Sequence, residues 1–554
     1  MALTDILRGG VGGLDGLTLS VILGGSLVAL LWRVFTLRLD SREPPILKPD
    51  VPVVGHIIGM IRGSHGYWPK LYQSKPLPAA TLPMLNGKMY VLNDPGLISA
   101  VFRARTLSFD PFLLKTIHHM IPISGGAMDV FRADEFQHRF QKVVYSKMTG
   151  ADLLRMNAVV LGDVFGQINR LPANMEVEDT FLWFRSLLTM STIVALVGKE
   201  HSWKMHRNAG ARFWEYEAYI HYFVLGPAPW LTCPSAYESR AELHKALIEC
   251  VEIGHRLAKE ASVSRPTNMI PDFSSAAPTA PDVSALTKDV VELLDEHHWT
   301  ASDKAALFIA IFQGAIANTV PTAYWYMMHI MSSPKLVAKL RKELARIAVP
   351  GPAGPDGKRE VRVDLRDLSE ENMPLLTAAF RENQRMIGVG SINRWVVSDT
   401  VVTSAADPGR SYLLRKDNAL LIPQMLNHMD AAHWGPDVAE FRPERFLPAK
   451  GREFHGEAPV PRGAFTPFGG GKHLCPGRNF ASAENWGTMI ALLLGFEMTT
   501  PEGEPLEVPE RTMPTPAHAI GRPVAGSNLR SSIRRRKGWE NVVWKVAEVP
   551  GKDS

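Results

Sequence analysis

The chain has 554 residues, a formal net charge of +5 and a hydrophobic content of 45%. These values are ordinary for a folded protein and allow a core large enough to enclose a cavity. The positive excess is small and evenly spread, so no nucleic-acid partner is expected. The three cysteines, Cys233, Cys250 and Cys475, do not form a disulfide framework, which favours a reducing compartment.

An uncharged apolar segment near the N-terminus predicts a membrane anchor. Residues 17–31 carry no charge and are followed by Trp32 and Arg33. The segment is shorter than the roughly 20 residues that span a bilayer, but Trp32 and a snorkelling Arg33 extend it. Basic residues after the span would keep the remaining chain cytoplasmic. We therefore expect a single-pass anchor over residues 1–40 and a globular domain over residues 41–554.

A cleaved signal peptide is the alternative interpretation of this segment. The acidic residues Asp5 and Asp15 precede the apolar run, and no A-x-A-like cleavage site follows it. Both features favour a retained anchor.

Apolar periodicity after the anchor predicts a mainly α protein with a small β region. The turn-rich segments 266–281 and 349–358 predict loops. Predicted helices cover residues 151–169, 239–262, 302–331 and 333–347. Predicted strands cover residues 89–92, 395–397 and 419–422.

The predicted helix over residues 302–331 has two interpretations. It carries no formal charge after Lys304, so hydropathy alone permits a second transmembrane span. Gln313 and Asn318 lie within the run, and a helix buried in a large domain is equally apolar on all sides. The central helix of a globular core is therefore the favoured interpretation.

The most informative local pattern surrounds Cys475. It lies in the run FGGGKHLCPG, which covers residues 468–477. A lone cysteine is usually a small buried hydrophobe. Here glycines allow the backbone to aim N–H groups at the sulfur, and such donors stabilise a thiolate. With no second cysteine nearby, a zinc or iron–sulfur centre is not expected, whereas haem supplies its other ligands itself.

This run resembles the haem-binding signature of the cytochromes P450, F-x-x-G-x-[RH]-x-C-x-G. Phe468, Gly471, His473, Cys475 and Gly477 occupy every fixed position. The resemblance implies the cytochrome P450 fold, with an N-terminal membrane anchor helix and haem b (iron protoporphyrin IX) bound through the Cys475 thiolate.

Two further segments resemble family motifs. Glu382 and Arg385 match the E-x-x-R helix, and Arg445 lies in a P-E-R-F segment. In the family, this arginine joins the Glu and Arg of E-x-x-R in a charged network, which the resemblance therefore implies here.

The residues around Pro321 resemble the oxygen-binding part of the family's long helix. Thr319 matches the threonine whose hydroxyl donates towards bound dioxygen, but Asn318 replaces the expected acid. An amide cannot shuttle a proton as a carboxylate does. Pro321 lacks an N–H and predicts a kink that leaves the Ala317 carbonyl without its helical partner.

Two cations match positions at which the family contacts the haem propionates. These are Arg394 and His473. The family's W-x-x-x-R helix is not evident, and its weak substitutes are His138, Arg139 and Lys142.

The patterns around Thr319 and Cys475 resemble the branch that contains sterol 7α- and 12α-hydroxylases and prostacyclin synthase. The resemblance implies a monooxygenase that receives electrons from NADPH through NADPH–cytochrome P450 reductase and oxidises an apolar, sterol- or terpenoid-like small molecule. It also implies contact with membrane lipid, at the endoplasmic reticulum membrane. Three alternatives remain at this point: a haem-thiolate isomerase or dehydratase that acts on a lipid peroxide without a reductase, a non-catalytic haem sensor, and a two-span membrane protein without haem.

Overall fold

A computed structural model describes most of the chain. The described residues are 24–25, 39–49, 56–84, 87–198, 209–226, 228–263, 283–447, 460–515, 517–527 and 529–547. The predicted anchor lies outside them apart from residues 24–25 and 39–40, and the loop predicted over residues 266–281 lies outside them entirely.

The described part of the chain is mainly helical. Its α-helices are α1 (Ile57–Gly63), α2 (Tyr67–Ser74), α3 (Pro95–Arg103), α4 (Asp110–Met120), α5 (Gly125–Arg132), α6 (Asp134–Lys147), α7 (Gly150–Asn169), α8 (Thr180–Val197), α9 (Ala209–Ala218), α10 (Ile220–Leu225), α11 (Pro229–Thr232), α12 (Pro234–Val263), α13 (Ala285–Glu296), α14 (Ala301–Ile316), α15 (Thr319–Met331), α16 (Pro334–Leu344), α17 (Pro374–Ile387), α18 (Gln424–His428), α19 (Ala431–Trp434) and α20 (Arg478–Gly495).

The strands form small sheets beside the helices. They are β1 (Ala79–Met84), β2 (Gly87–Leu92), β3 (Leu107–Ser108), β4 (Asn174–Val177), β5 (Arg359–Val363), β6 (Ser391–Val396), β7 (Thr400–Thr403), β8 (Ser411–Leu414), β9 (Ala419–Pro423), β10 (Phe496–Thr499), β11 (Ser531–Arg535) and β12 (Val542–Val546). The largest sheet has the order β1-β2-β9-β6-β3, in which only β2 and β9 run parallel. A second sheet has the order β10-β11-β4, and two pairs, β12-β5 and β7-β8, complete the set.

The predicted mainly α architecture is therefore confirmed for the described residues. The helices predicted over 151–169, 239–262 and 333–347 correspond to α7, α12 and α16. The strands predicted over 89–92 and 419–422 lie within β2 and β9, and the one predicted over 395–397 overlaps the end of β6. These elements carry strong local patterns, so their type could be inferred without tertiary contacts.

The predicted long helix over residues 302–331 consists of two helices, α14 and α15. α14 begins where it does because the Thr300 hydroxyl accepts a hydrogen bond from the Asp303 N–H, at 3.1 Å. The helix breaks at residues 317–318, as the missing N–H of Pro321 predicts. The Thr322 hydroxyl also donates to the Asn318 carbonyl, at 2.7 Å, and such back-bonding bends helices.

Burial distinguishes these helices from membrane spans. Within the described residues, Thr180–Val197 and Ala301–Met331 are long and apolar enough to cross a bilayer, but 67% of the apolar window of each is buried inside the protein. α15 packs against α8, α17 and α20, as the central helix of a core does. This packing supports the core interpretation over a second membrane span.

Candidate active site

The Cys475 loop folds back on itself between β9 and α20. The Cys475 N–H donates to the carbonyl of Phe468, at 3.0 Å, which closes the loop across the residues predicted to hold it. Phe468 is half-buried and packs against the main hydrophobic core. The structure therefore brings these two predicted residues together.

Two glycines of this loop are required by close packing against α3. Gly471 has a φ of +66°, and a Cβ there would overlap the backbone carbonyl of Phe102. A Cβ on Gly470 would overlap the Phe102 ring. The glycines thus let the loop approach α3 closely, a role that the sequence did not reveal.

The surroundings of the Cys475 sulfur suit a metal-bound thiolate. Burial raises the pKa of this thiol, while hydrogen bonds from the backbone N–H groups of Gly477 and Arg478 and the charge of the Arg478 side chain oppose that rise. α20 begins at Arg478, so the positive end of its dipole also lies next to the sulfur. A metal cation bound at the sulfur would offset the cost of burying the thiolate charge.

Arg394 lies beside the Cys475 loop on β6. It is only 4% exposed, and its guanidinium donates to the carbonyls of Asn393, at 2.8 Å, and Gly470, at 3.0 Å. No carboxylate among the described residues lies within salt-bridge distance of it, and burial lowers its pKa to about 10. A buried cation that lacks an ion pair is costly, so this position favours an anionic ligand group.

His473 contacts the start of α4. Its Nε2 accepts a hydrogen bond from the Phe109 N–H, at 3.2 Å, which places the proton of the neutral ring on Nδ1. Nδ1 lies 3.7 Å from a carboxylate oxygen of Asp110. Burial lowers the pKa of His473 to about 4, so near neutral pH the ring is an uncharged donor rather than a cation.

Tyr145 on α6 also holds the loop, and sequence reasoning missed it. Its hydroxyl donates to the carbonyl of Leu474, at 2.7 Å. The same helix carries the three residues that the sequence offered as substitutes for the family's W-x-x-x-R motif: His138, Arg139 and Lys142. Arg139 instead pairs with Glu296, at 2.5 Å. Tyr145 follows His138 by seven residues, about two turns, so the two share a helix face. This spacing was the sequence signal that could have identified Tyr145.

The predicted charged network is present and fully buried at its centre. Glu382 and Arg385 are 0% exposed and joined by two hydrogen bonds of 2.8 Å. Arg445 donates to the same carboxylate, at 3.2 Å, and pairs with Asp437, at 2.8 Å. Glu382 also accepts the N–H of Arg442, at 3.0 Å. The carboxylate and carbonyl acceptors around Arg385 and Arg445 satisfy the hydrogen-bonding groups of this network, as a buried network requires.

A second chain of contacts connects this network to the Cys475 loop. Arg385 donates to the carbonyl of His428, at 2.8 Å, and Nε2 of His428 accepts the N–H of Thr466, at 3.2 Å. The side chain of Gln424 donates to the Thr466 carbonyl. The charged network is therefore connected to the Cys475 loop through the backbone of Thr466, two residues before Phe468.

One face of the broken long helix borders open space. Gly314 and Asn318 are exposed although most of their neighbours are buried, and a Cβ at Gly314 would meet no atom within 4 Å. Thr319 is 8% exposed, and its hydroxyl has no hydrogen-bond partner among the described residues. No hydrogen bond joins Thr319 to Cys475 among the described residues, although α15 packs against α20, the helix that follows the Cys475 loop.

These features fit a haem. The partly buried Cys475 thiol with its N–H donors would bind the iron. The buried Arg394 cation, which has no acid beside it, would bind a propionate, and the open helix face would border the ring. Cys475 and Arg394 are thus the residues whose chemistry suits the group most directly.

Comparison with known proteins agrees with this chemistry. The cytochrome P450 family model matches residues 44–520. A cytochrome P450 monooxygenase of Gibberella zeae is 30% identical over 561 residues, covering 100% of this chain and 99% of that protein. The cytochrome P450 monooxygenase nodJ of Hypoxylon pulicicidum is 26% identical over 528 residues, covering 94% of each chain.

A partial match supports the branch that the motifs indicated. The 5-beta-cholestane-3-alpha,7-alpha-diol 12-alpha-hydroxylase of Sus scrofa is 26% identical over 221 residues, covering 39% of this chain and 42% of that protein. The full-length relatives, the family match and the Cys475 loop lead to one assignment: the chain belongs to the cytochrome P450 family of monooxygenases.

Proposed function

We propose that this monooxygenase inserts one oxygen atom from O2 into a compact, apolar, sterol- or terpenoid-like molecule during the biosynthesis of a secondary metabolite. The observation that carries the haem-thiolate chemistry is the partly buried Cys475 sulfur with backbone N–H groups directed at it. The substrate class is supported by the partial match to a sterol hydroxylase. The role in secondary metabolism is supported by the two fungal monooxygenases that match along nearly the whole chain.

Cys475 would bind the iron of haem b, and the bound haem would supply the activation of dioxygen, with electrons from NADPH through NADPH–cytochrome P450 reductase. Arg394 would hold a propionate by charge. His473 would contribute a neutral N–H at most, because burial keeps its pKa near 4. Phe468 would support the loop through its carbonyl, which holds the Cys475 N–H at 3.0 Å.

Thr319 and Asn318 would act on the opposite side of the haem. The Thr319 hydroxyl has no protein partner among the described residues, so it is available to hold a proton close to the reacting oxygen. The Asn318 amide can orient water but cannot release a proton, so water carries the relay.

The membrane arrangement belongs to the same proposal. Residues 1–40 would anchor the protein in the endoplasmic reticulum membrane by one span, with residues 41–554 as the haem domain on the cytoplasmic side. The apolar run over residues 17–31 supports it, and membrane lipid would then adjoin the site at which an apolar substrate enters.

Asn318 favours one alternative function. This alternative is an isomerase or dehydratase that acts on a lipid peroxide without a reductase. Its substrate already contains the reacting oxygen, so the enzyme needs less proton delivery than a monooxygenase. An amide in place of an acid next to Thr319 would suit such an enzyme. Conversion of a lipid hydroperoxide without NADPH would select it.

The proposal is tested with the purified, haem-loaded chain and the variant Cys475→Ser. The matched control is Cys233→Ser, which changes a buried cysteine outside the loop. The parent and the control should give the carbon monoxide difference spectrum of a thiolate-ligated haem. With NADPH–cytochrome P450 reductase added, they should also give NADPH-dependent oxygenation of an apolar sterol or terpenoid panel. The Cys475 variant should lose both. A parent without the thiolate spectrum, or a serine variant that keeps it, refutes the thiolate assignment, and a parent with the spectrum but no product refutes the substrate class.

A further inference from the structure

The peptide groups on both sides of Cys475 are held by hydrogen bonds. In the group before it, the Leu474 carbonyl accepts the hydroxyl of Tyr145, at 2.7 Å. The N–H of the same group, that of Cys475, donates to the Phe468 carbonyl, at 3.0 Å. In the group after it, the Cys475 carbonyl accepts the guanidinium of Arg478, at 3.1 Å, and the following proline has no N–H. Every polar backbone atom of these two peptide groups therefore has a partner.

These bonds fix the direction in which the Cys475 side chain leaves the backbone. A peptide group is planar, so holding both its carbonyl and its N–H fixes its plane and the position of its nitrogen. The four substituents of Cα are tetrahedral, so the positions of the backbone nitrogen and carbonyl carbon determine where Cβ lies. In a metal site, contacts of this kind orient the ligand atom.

Tyr145 differs from the other two partners in its place in the chain. Phe468 belongs to the Cys475 loop, and Arg478 begins the helix that follows the loop, so both bonds are local. Tyr145 lies on α6, 329 residues before Leu474. Of the three bonds, the Tyr145 bond is thus the one that ties the Leu474–Cys475 peptide group directly to a distant helix.

The position of α6 directs the Tyr145 hydroxyl at this carbonyl. A phenol has one proton to donate, and the Lys472 carbonyl, at 3.2 Å, is farther from it than the Leu474 carbonyl. One turn earlier on α6, the side chain of Gln141 donates to Asp110 of α4, at 2.9 Å. α6 is therefore held on the same side of the loop from which Tyr145 reaches it.

We propose that Tyr145 is a positioning residue for the thiolate ligand: its hydroxyl holds the peptide group before Cys475 and so keeps the sulfur directed at the iron. This inference rests on the proposed function, in which Cys475 binds the haem iron. It gives α6 a task in the site although the family's W-x-x-x-R motif is not evident there. Because Tyr145 acts through the backbone, its loss loosens the bond between sulfur and iron without removing the ligand.

The test compares Tyr145→Phe, which removes only the hydroxyl, with Tyr326→Phe as the matched control. The Tyr326 hydroxyl also donates to a backbone carbonyl, that of Leu376, at 2.6 Å, but this bond joins α15 to α17, outside the Cys475 loop. Each variant therefore loses one neutral hydrogen bond from a phenol to a carbonyl.

Three measurements on the full chain separate ligation from stability. Carbon monoxide difference spectra of the reduced, haem-loaded protein, recorded over time, give the rate at which the thiolate-ligated form converts to a form without the thiolate. Urea unfolding gives the global stability. Transfer to excess apomyoglobin gives the rate of haem release.

Tyr145→Phe should lose the thiolate-ligated form about two- to tenfold faster than the parent, because one neutral hydrogen bond no longer holds the ligand. Tyr326→Phe should lose it at the parent's rate, although its urea midpoint falls at least as far. Equal rates of thiolate loss in Tyr145→Phe and the parent overturn the inference, and so does an equal acceleration in both variants. Faster haem release at unchanged ligation also overturns it, because the hydroxyl would then act on a propionate. All three of these results leave the proposed function standing, whereas a parent without the thiolate spectrum refutes both.

Discussion

Replacing Arg394 by methionine should weaken the protein's hold on haem without making the protein without haem any more stable. Without a ligand, the buried guanidinium has no acid within salt-bridge distance, and burial lowers its pKa from 12.5 to about 10. This difference corresponds to a penalty of about 3 kcal/mol for keeping the charge in the fold. Arg394→Met removes the penalty but also removes the hydrogen bonds to the carbonyls of Asn393 and Gly470, which contribute about 1.5–3 kcal/mol each because the donor is charged. These losses equal or exceed the penalty, so the apoprotein should become less stable by between about 0 and 3 kcal/mol.

The pH dependence of this stability difference follows from the direction of the pKa shift of Arg394. The pKa of Arg394 is lower in the fold than in the unfolded chain, so the fold disfavours the charge wherever the group is protonated in both states. The penalty is therefore constant below the folded pKa of about 10 and declines only above it. Urea unfolding of the parent and variant apoproteins should differ by the same amount at pH 6.5 and pH 8.5.

Haem retention should fall as well, and by more than the change in apoprotein stability explains. A charged hydrogen bond to a propionate contributes about 1.5–3 kcal/mol, so its loss should accelerate haem release by about 10- to 100-fold. Release is measured as transfer to excess apomyoglobin, by absorbance. Arg535→Met is the matched control, because Arg535 is another partly buried arginine bonded to backbone carbonyls, on β11. The control should lose stability and retain haem normally. An Arg394→Met variant whose haem release matches that of the parent would refute the reasoning.

The remaining predictions concern the buried network, the oxygen side and a buried acid on α20. Glu382→Ala should lower the free energy of unfolding by about 3–5 kcal/mol, because it leaves Arg385 buried without its ion pair; an unchanged urea midpoint would contradict this. Thr319→Ala should raise NADPH consumption per product formed, because proton delivery is lost; equal coupling in variant and parent would exclude that role. Glu484 is 0% exposed, and burial raises its pKa to about 8 although the Thr192 hydroxyl donates to it at 2.6 Å. Stability linked to Glu484 is fully present below its unfolded pKa of about 4.5 and is lost as the pH rises towards 8. Glu484→Gln should therefore be the more stable protein at pH 7.5, by about 4 kcal/mol, and the two should converge near pH 5; parallel stability curves would count against the buried acid.

Local sequence patterns were sufficient for the main helices, the strands at β2, β6 and β9, and the Cys475 loop. Each of these is encoded in contiguous residues: a helical or alternating period, a capping threonine at position 300, or glycines around one cysteine. The break before Thr319 was also predictable, because Pro321 removes a hydrogen bond wherever the helix is placed. The charged network followed from family resemblance rather than from periodicity, since a Glu/Arg pair three residues apart is common on solvated helices.

What remained depended on residues that are distant in the chain. Only the fold places Tyr145 on the Leu474 carbonyl and Phe102 against Gly471. The charge state of a side chain could not be inferred from the sequence either. His473 is a candidate cation by sequence, but burial and the hydrogen bond from the Phe109 N–H make it a neutral ring. Sequence determines which groups are available, whereas long-range packing decides which of them lose water and partners, and those losses set pKa values and binding sites.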